Sequence, residues 1–265
     1  MKTSVARTVW IFVACVGLAG SAFAQVSRAW VSGAGDDLNP CTRAAPCKSL
    51  SGAYAKVAAG GEIDVLDPGG YGGLAINKPI TISGVGTHGG VLVTATDGIT
   101  INILAPPAGS ATATVVLRNL QIDGLGDAGS SPGLNGVHVL SSIPTEVILD
   151  NVNVHAFSLN GVLAEGANRV AINGGTFTSN AGVAIHAVDS SAIYVANSQI
   201  VRNNIAVQAD LGSTIRLSNN DVFDNKTGFA CGTGGTLASA ANNRKANNVG
   251  GSVPACSPTV AITIQ

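Results

Sequence analysis

The chain has 265 residues, of which 46% are apolar, 11% are charged and 34 are glycine. Charged residues usually make up about 25% of a globular chain. With 14 basic against 15 acidic side chains there is no basic excess to meet phosphates, which argues against nucleic acid or an anionic membrane as partner. High apolar content with almost no net charge also excludes a disordered chain.

The amino terminus reads as a targeting segment. Lys2 and Arg7 form a short positive region, Val9 to Leu18 is almost continuously apolar, and Ala22-Phe23-Ala24 offers small residues at a cleavage site. Residues 1–24 are therefore expected to be a signal peptide, cut before Gln25. The apolar run falls short of the roughly 20 residues a spanning helix needs. No later segment approaches it, so no membrane span is expected and the mature protein should be secreted or periplasmic. Losing Lys2 and Arg7 leaves 12 basic and 15 acidic residues, a formal net charge of −3.

Four cysteines follow, Cys41, Cys47, Cys231 and Cys256. In an oxidising compartment they read as two disulfides, with three pairings open. The near neighbours Cys41 and Cys47 suit a small staple at the start, and Cys231 with Cys256 would tie down the end. Zinc is disfavoured, because neither pair has Cys-x-x-Cys spacing and no histidine sits beside them.

Ser49–Ala58 reads as a short amphipathic helix with Leu50, Tyr54 and Val57 on one face. Ile63/Val65, Leu74/Ile76 and Ile80/Ile82 then alternate as strands and are taken as a first coil. Val115/Leu117 and Ile122 begin a later one. It is longer than those that follow, and Gly124–Gly133 (GLGDAGSSPG) accounts for the surplus as a loop.

From Thr145 the chain repeats. Val147, Val170, Ile193 and Ile215 recur at steps of 23, 23 and 22 residues. Val154, Phe177, Ile200 and Val222 form a second column, and Val162, Ile185, Val207 and Phe229 a third. Ala164, Ala187, Ala209 and Cys231 make a ladder of small residues beside it. Three alternating columns per period mean three short strands per repeat, with no helix between them. Stacked at about 4.8 Å, such coils place like over like and enclose one continuous core. A sandwich also has many short strands, but would not hold three columns in register over four repeats. Asn160, Asn180, Asn203 and Asn225 fall at one corner. Asn119, Asn151, Gly174, Asn197 and Asn219 fall at another, where the left-handed backbone suits Asn and Gly.

The run from Cys47 to Gly84, CKSLSGAYAKVAAGGEIDVLDPGGYGGLAINKPITISG, resembles the entry to the pectin-lyase-like superfamily. There a capping helix leads to a Gly-Gly-x-Ile-x-Val strand, a Pro-Gly turn with Tyr, and an Ile-x-Ile-x-Gly strand. The resemblance implies an all-β, single-stranded right-handed parallel β-helix of 22–23 residues and three strands per coil, with an N-terminal capping helix. The expected organisation is a signal peptide over 1–24, a cap over 25–62, the β-helix over 63–237 and a C-terminal cap over 238–265. The superfamily contains lyases, hydrolases, epimerases, adhesins and other secreted proteins, so fold alone does not choose a function.

A lyase of this superfamily would need acidic Ca²⁺ ligands and an Arg or Lys base. A hydrolase would need carboxylates roughly 6.5–9.5 Å apart for inversion. Family polygalacturonases combine Asn-Thr-Asp, Asp-Asp, Gly-His-Gly and Arg-x-Lys. That set is absent here, and Asp36-Asp37 near the start reads as a polar loop without the others. The register places Arg118 over Asp150, Glu146 over Arg169 and Arg202 over Asp224. These are expected as structural ion pairs worth about 0.2–1 kcal/mol each.

The remaining candidates are few. Asp123, Asp127 and His155 gather at the inserted loop and are the best catalytic or metal candidates, since a carboxylate beside an imidazole can move a proton. Tyr194 with Arg216 above it suggests a cation–π contact or a sugar platform. His138 and His186 lie on an outward column two coils apart, too far to share a metal, and read as solvated surface residues and candidates for ligand contact. No metal or other cofactor is expected; Ca²⁺ enters only under the lyase reading. The sequence thus points to an exported, monomeric and non-catalytic β-helix that presents a rigid face to a polysaccharide or envelope component. A polysaccharide lyase or hydrolase, and an adhesive or structural protein, are the alternatives.

Overall fold

The computed structural model describes residues 25–87, 89–126, 131–251, 253 and 255–263; the leader and Asp127 lie outside them. It is a parallel β-helix of three sheets. The first sheet stacks ten strands in chain order along the axis, from Val26–Val31 through Val57–Val65, Ile80–Ser83 and Ala113–Arg118 to Val260–Ala261. The second has eight strands, from Gly69–Gly70 to Arg244–Ala246. The third has seven, from Leu74–Ile76 to Thr227–Cys231.

The repeat columns pair as the steps require. Val147 lies opposite Val170, Val170 opposite Ile193 and Ile193 opposite Ile215, and the longer step from Val115 to Val147 is in register too. The second column runs Ile122, Val154, Phe177, Ile200 and Val222. All of these are buried, each side chain contributing about 1.5–3 kcal/mol by leaving water.

Three details differ from the repeat as read in the sequence. Ile82 pairs with Ile63, so Ile80–Ser83 opens the second coil rather than closing the first. The first sheet already starts at Val26–Val31, which pairs with Val57–Val65 across a β-bulge; the intervening helix and loop hide that step from a 23-residue period. At the other end Arg244–Ala246 continues the second sheet and Val260–Ala261 the first, although the apolar pattern is gone. There the exposed Lys245 takes the register position opposite Val222 and sets its ammonium 4.8 Å from the Phe229 ring centre.

Both ends are closed. Helix α1 (Leu50–Lys56) buries Leu50 and Ala53, and its N-cap Ser49 accepts from the Gly52 amide. Disulfides Cys41–Cys47 and Cys231–Cys256 form. The second brings the terminal segment over the third sheet, where Ala255 bridges Ala230.

The corners divide their work. Asn119, Asn151, Gly174, Asn197 and Asn219 all take positive φ, the geometry a tight corner needs. At the other corner the left-handed residues are Ser179, Arg202, Asp224 and Asn247, one position before the asparagines. Asn180, Asn203 and Asn225 instead turn inward and are buried. Each donates its backbone and side-chain N–H groups to the Oδ1 of the next, ending at Asn248. Asn160 belongs to a separate pair, donating to Asn135 in the third sheet.

Candidate functional site

The outward face of the first sheet carries the candidate site. In Val26–Val31, Ala29 and Val31 point into the core, so alternation turns Arg28 and Trp30 outward. The Arg28 guanidinium stacks 5.6 Å from the Trp30 ring and bonds Asp64 at 2.5 Å. That hydrogen bond and the Asp64 charge hold the guanidinium proton even more firmly than usual. Around them Arg43, Ser83, Thr87 and Arg118 line a depression of ≈ 480 Å³. A second of ≈ 550 Å³ shares Leu66, Gly86 and Thr87 and continues over the corner to Asn119, Gln121, Asn151 and Asn153. Where they meet, the buried Thr87 Oγ1 has no hydrogen-bond partner among the described residues.

The carboxylates of this trough are already engaged. Glu62 and Asp64 face Arg28. Asp67 accepts from the Gly33 amide, the Ser32 hydroxyl and the Tyr71 hydroxyl. Those bonds, the amide first, draw its proton affinity below the ordinary carboxylate range. Burial, with the Asp67 charge beside it, raises the Tyr71 phenol far above its usual value.

Farther along the same face, Tyr194 is 43% exposed and lies in register between Ala171 and Arg216. Small Ala171 and Ala192 leave a shelf of ≈ 410 Å³ beside the ring, flanked by Arg169 and Arg216. The expected cation–π contact between Tyr194 and Arg216 does not form; the described cation–π pairs are Arg28–Trp30, Lys78–Tyr54 and Lys245–Phe229. The expected ion pairs are also absent. Arg118 and Asp150, and Glu146 and Arg169, are register partners, yet neither these nor Arg202 and Asp224 come within 4.0 Å. Exposed ion pairs form at Arg28 and between Arg244 and Asp221 instead.

At the inserted loop, His155 is the register partner of Asp123, with Nε2 3.5 Å from Oδ2 and 3.3 Å from Gln121 Nε2. Asp123 Oδ1 also accepts from the Leu125 amide at 2.7 Å, the turn bond of a chain leaving a strand. Asp127 lies outside the described residues.

His138 and His186 are not freely solvated as expected, both side chains being 17% exposed. His138 Nδ1 is 2.7 Å from Asp97 and its Nε2 3.0 Å from Glu165. His186 Nε2 is 2.8 Å from Asp210. The acids lie just outside the third-sheet strands, off the repeat columns, which is why spacing did not reveal them. Trp30, Arg28 and Arg43 were missed because their segment reads as cap. Among the described residues no three His, Cys, Asp or Glu side chains gather as ligands for one ion.

Residues 81–249 match the family described as right handed beta helix region. The chain belongs to the right-handed β-helix family. Solved structures similar to this β-helix include a pectate lyase, Pel9A, at 14% identity and TM-score 0.48, covering 89% of this chain and 83% of that one. A rhamnogalacturonan lyase aligns at 10% identity and TM-score 0.39, covering 84% and 74%. A GH136 lacto-N-biosidase from Eubacterium ramulus aligns at 12% identity and TM-score 0.34, covering 89% and 68%. No curated protein sequence matches the chain. No helix among the described residues is long and apolar enough to cross a membrane.

Proposed function

We propose that this β-helix is exported and binds an extended polysaccharide along the outward face of its first sheet, without catalysing a reaction on it. One observation carries the reading: two aromatic rings, Trp30 and Tyr194, share that face, each beside arginines and an open depression. Aromatic faces give sugar rings an apolar stacking surface, while guanidinium forks donate to hydroxyl and carboxylate oxygens. Six strand steps separate the two strands, about 29 Å at roughly 4.8 Å per step. A chain polymer spans that length and a single sugar does not.

How the acids are used supports the non-catalytic reading. General acid catalysis wants a carboxyl whose proton affinity is raised toward neutrality. Here Asp64 is bonded to Arg28, and Asp67 is held ionised by three donors. Export rests on the three-part leader over 1–24 and on the two disulfides, which persist in oxidising compartments. A carbohydrate enzyme centred on Asp123 and His155 is the second reading, supported by their 3.5 Å contact.

Titration of the chain from Gln25 onward with uronic-acid and neutral polysaccharides, with and without Ca²⁺, tests both. The expected result is binding weakened at least about tenfold by Tyr194→Ala, the loss of one stacking contact and its neighbours, with no product formed. Turnover abolished by Asp123→Ala or His155→Ala would replace this reading with the enzyme.

A further inference from the structure

We infer that His138 is a proton-operated clamp joining three successive coils of the third sheet. The three groups come from different coils. Asp97 precedes strand Ile99–Ile101, His138 lies within Asn135–Val139, and Glu165 follows Asn160–Ala164. These strands are consecutive neighbours, so the ring reaches one acid on each side along the axis.

The hydrogen-bond inventory fixes the proton count. Both ring nitrogens are within 3.0 Å of a carboxylate oxygen. An ionised carboxylate only accepts, and a neutral imidazole has one N–H. Two good contacts therefore need one proton more than neutral imidazole and two carboxylates hold. Asp97 is an acceptor throughout, since its Oδ1 already takes the Asn135 amide and side-chain N–H groups. Glu165 is 41% exposed at its side chain. Imidazole is by nature the stronger base, by about two pH units, so the extra proton sits on the ring. In the closed clamp His138 is thus an imidazolium between two carboxylates.

Loss of that proton leaves one N–H for two acceptors. Asp97 keeps it, because its position is set by Asn135. The Nε2 lone pair then faces a carboxylate oxygen, and Glu165 swings into solvent. Its backbone stays, with the amide bonded to Val139 O and the carbonyl to Asn168. The device thus fastens the sheet in acid and releases a surface carboxylate above it. Asp97 and Glu165 are the titratable groups facing the ring. Its in-register neighbours Thr100 and Leu163 are uncharged, and His186, two coils on, is engaged with Asp210.

Histidine nitrogen NMR on the wild type and Glu165→Gln tests this, with His186 as internal reference. At about pH 5.5, below the ordinary imidazole range, both His138 nitrogens are expected to carry protons. Raising the pH should leave only Nδ1–H. In Glu165→Gln the amide donates to the Nε2 lone pair, so the neutral ring keeps its contact and loses its proton at lower pH, while His186 does not move. A singly protonated His138 ring at about pH 5.5 in the wild type, or the same titration in both proteins, would overturn the inference. Because Gln is isosteric with Glu, the unchanged His186 signal also reports that the variant is folded.

Discussion

Replacing Asn203 by Ala would remove the middle rung of the buried asparagine ladder. Asn203 is 3% exposed. Its Oδ1 accepts from the Asn180 backbone and side-chain N–H groups at 3.0 and 2.9 Å. Its Nδ2 lies 3.0 Å from each of Phe177 O, Val201 O and Asn225 Oδ1. Truncation leaves two buried donors of Asn180 without an acceptor and deprives three oxygens of one donor. Each orphaned buried donor costs about 1–3 kcal/mol, and the oxygens keep other partners or lone pairs in reserve. The sum is about 3–4 kcal/mol, partly relieved if water enters the space. Asn248 is the last rung and is half-buried, so water can reach the Asn225 N–H groups that Asn248→Ala uncovers, and that variant should cost less, about 1–2 kcal/mol. Urea unfolding followed by circular dichroism measures both. Coils of a repeat protein can unfold separately, so the two transitions are compared at equal slope. If Asn203→Ala costs less than about 1 kcal/mol, the ladder is not what holds this corner.

The acid limb of stability should depend on Asp67. Its proton affinity is lowered in the fold, first by the Gly33 amide and then by the Ser32 and Tyr71 hydroxyls. Its contribution is therefore present above the ordinary carboxylate range and is lost as pH falls through its folded value. Asp67→Asn should lower stability at neutral pH and flatten the decline in acid, as read by thermal midpoints between about pH 2 and 7. Gly175 has φ +98°, and a Cβ there would lie 2.1 Å from Val152 O. Gly175→Ala should thus cost several times more than Gly60→Ala, which has φ +76° but open space; denaturant midpoints of the two variants decide it. Removing the Cys231–Cys256 bond with a paired serine variant should cost about 2–5 kcal/mol. Hydrogen exchange should quicken first in Thr227–Cys231 and Thr236–Ser239, the strands that the tethered segment covers.

The repetitive part of the fold was legible because each core position is dictated by the one a coil earlier. Val147, Val170, Ile193 and Ile215 announce their own pairing. The ends were less so. Val26–Val31 has a partner strand but no repeat spacing, since the cap helix intervenes, and the exposed Lys245 stands at a column position where the pattern expects an apolar residue. Outward residues were harder still. Register correctly set Glu146 beside Arg169 and Tyr194 beside Arg216, but register fixes Cβ positions and not where a long side chain leads. The histidine partners Asp97, Glu165 and Asp210 sit at corners whose lengths vary, so only three-dimensional structure brings them together. The trough at Trp30 is invisible for the same reason: its arginines come from three separate parts of the chain.

Affinity electrophoresis of the chain from Gln25 onward, in gels cast with individual polysaccharides, tests the central proposal most directly. The account predicts that at least one polymer retards the wild type. A Trp30→Ala/Tyr194→Ala double variant, folded by circular dichroism, should then migrate as if the polymer were absent, with no unsaturated or reducing ends released from it. Equal retardation of the double variant, or breakdown of the polymer by the wild type, would contradict it.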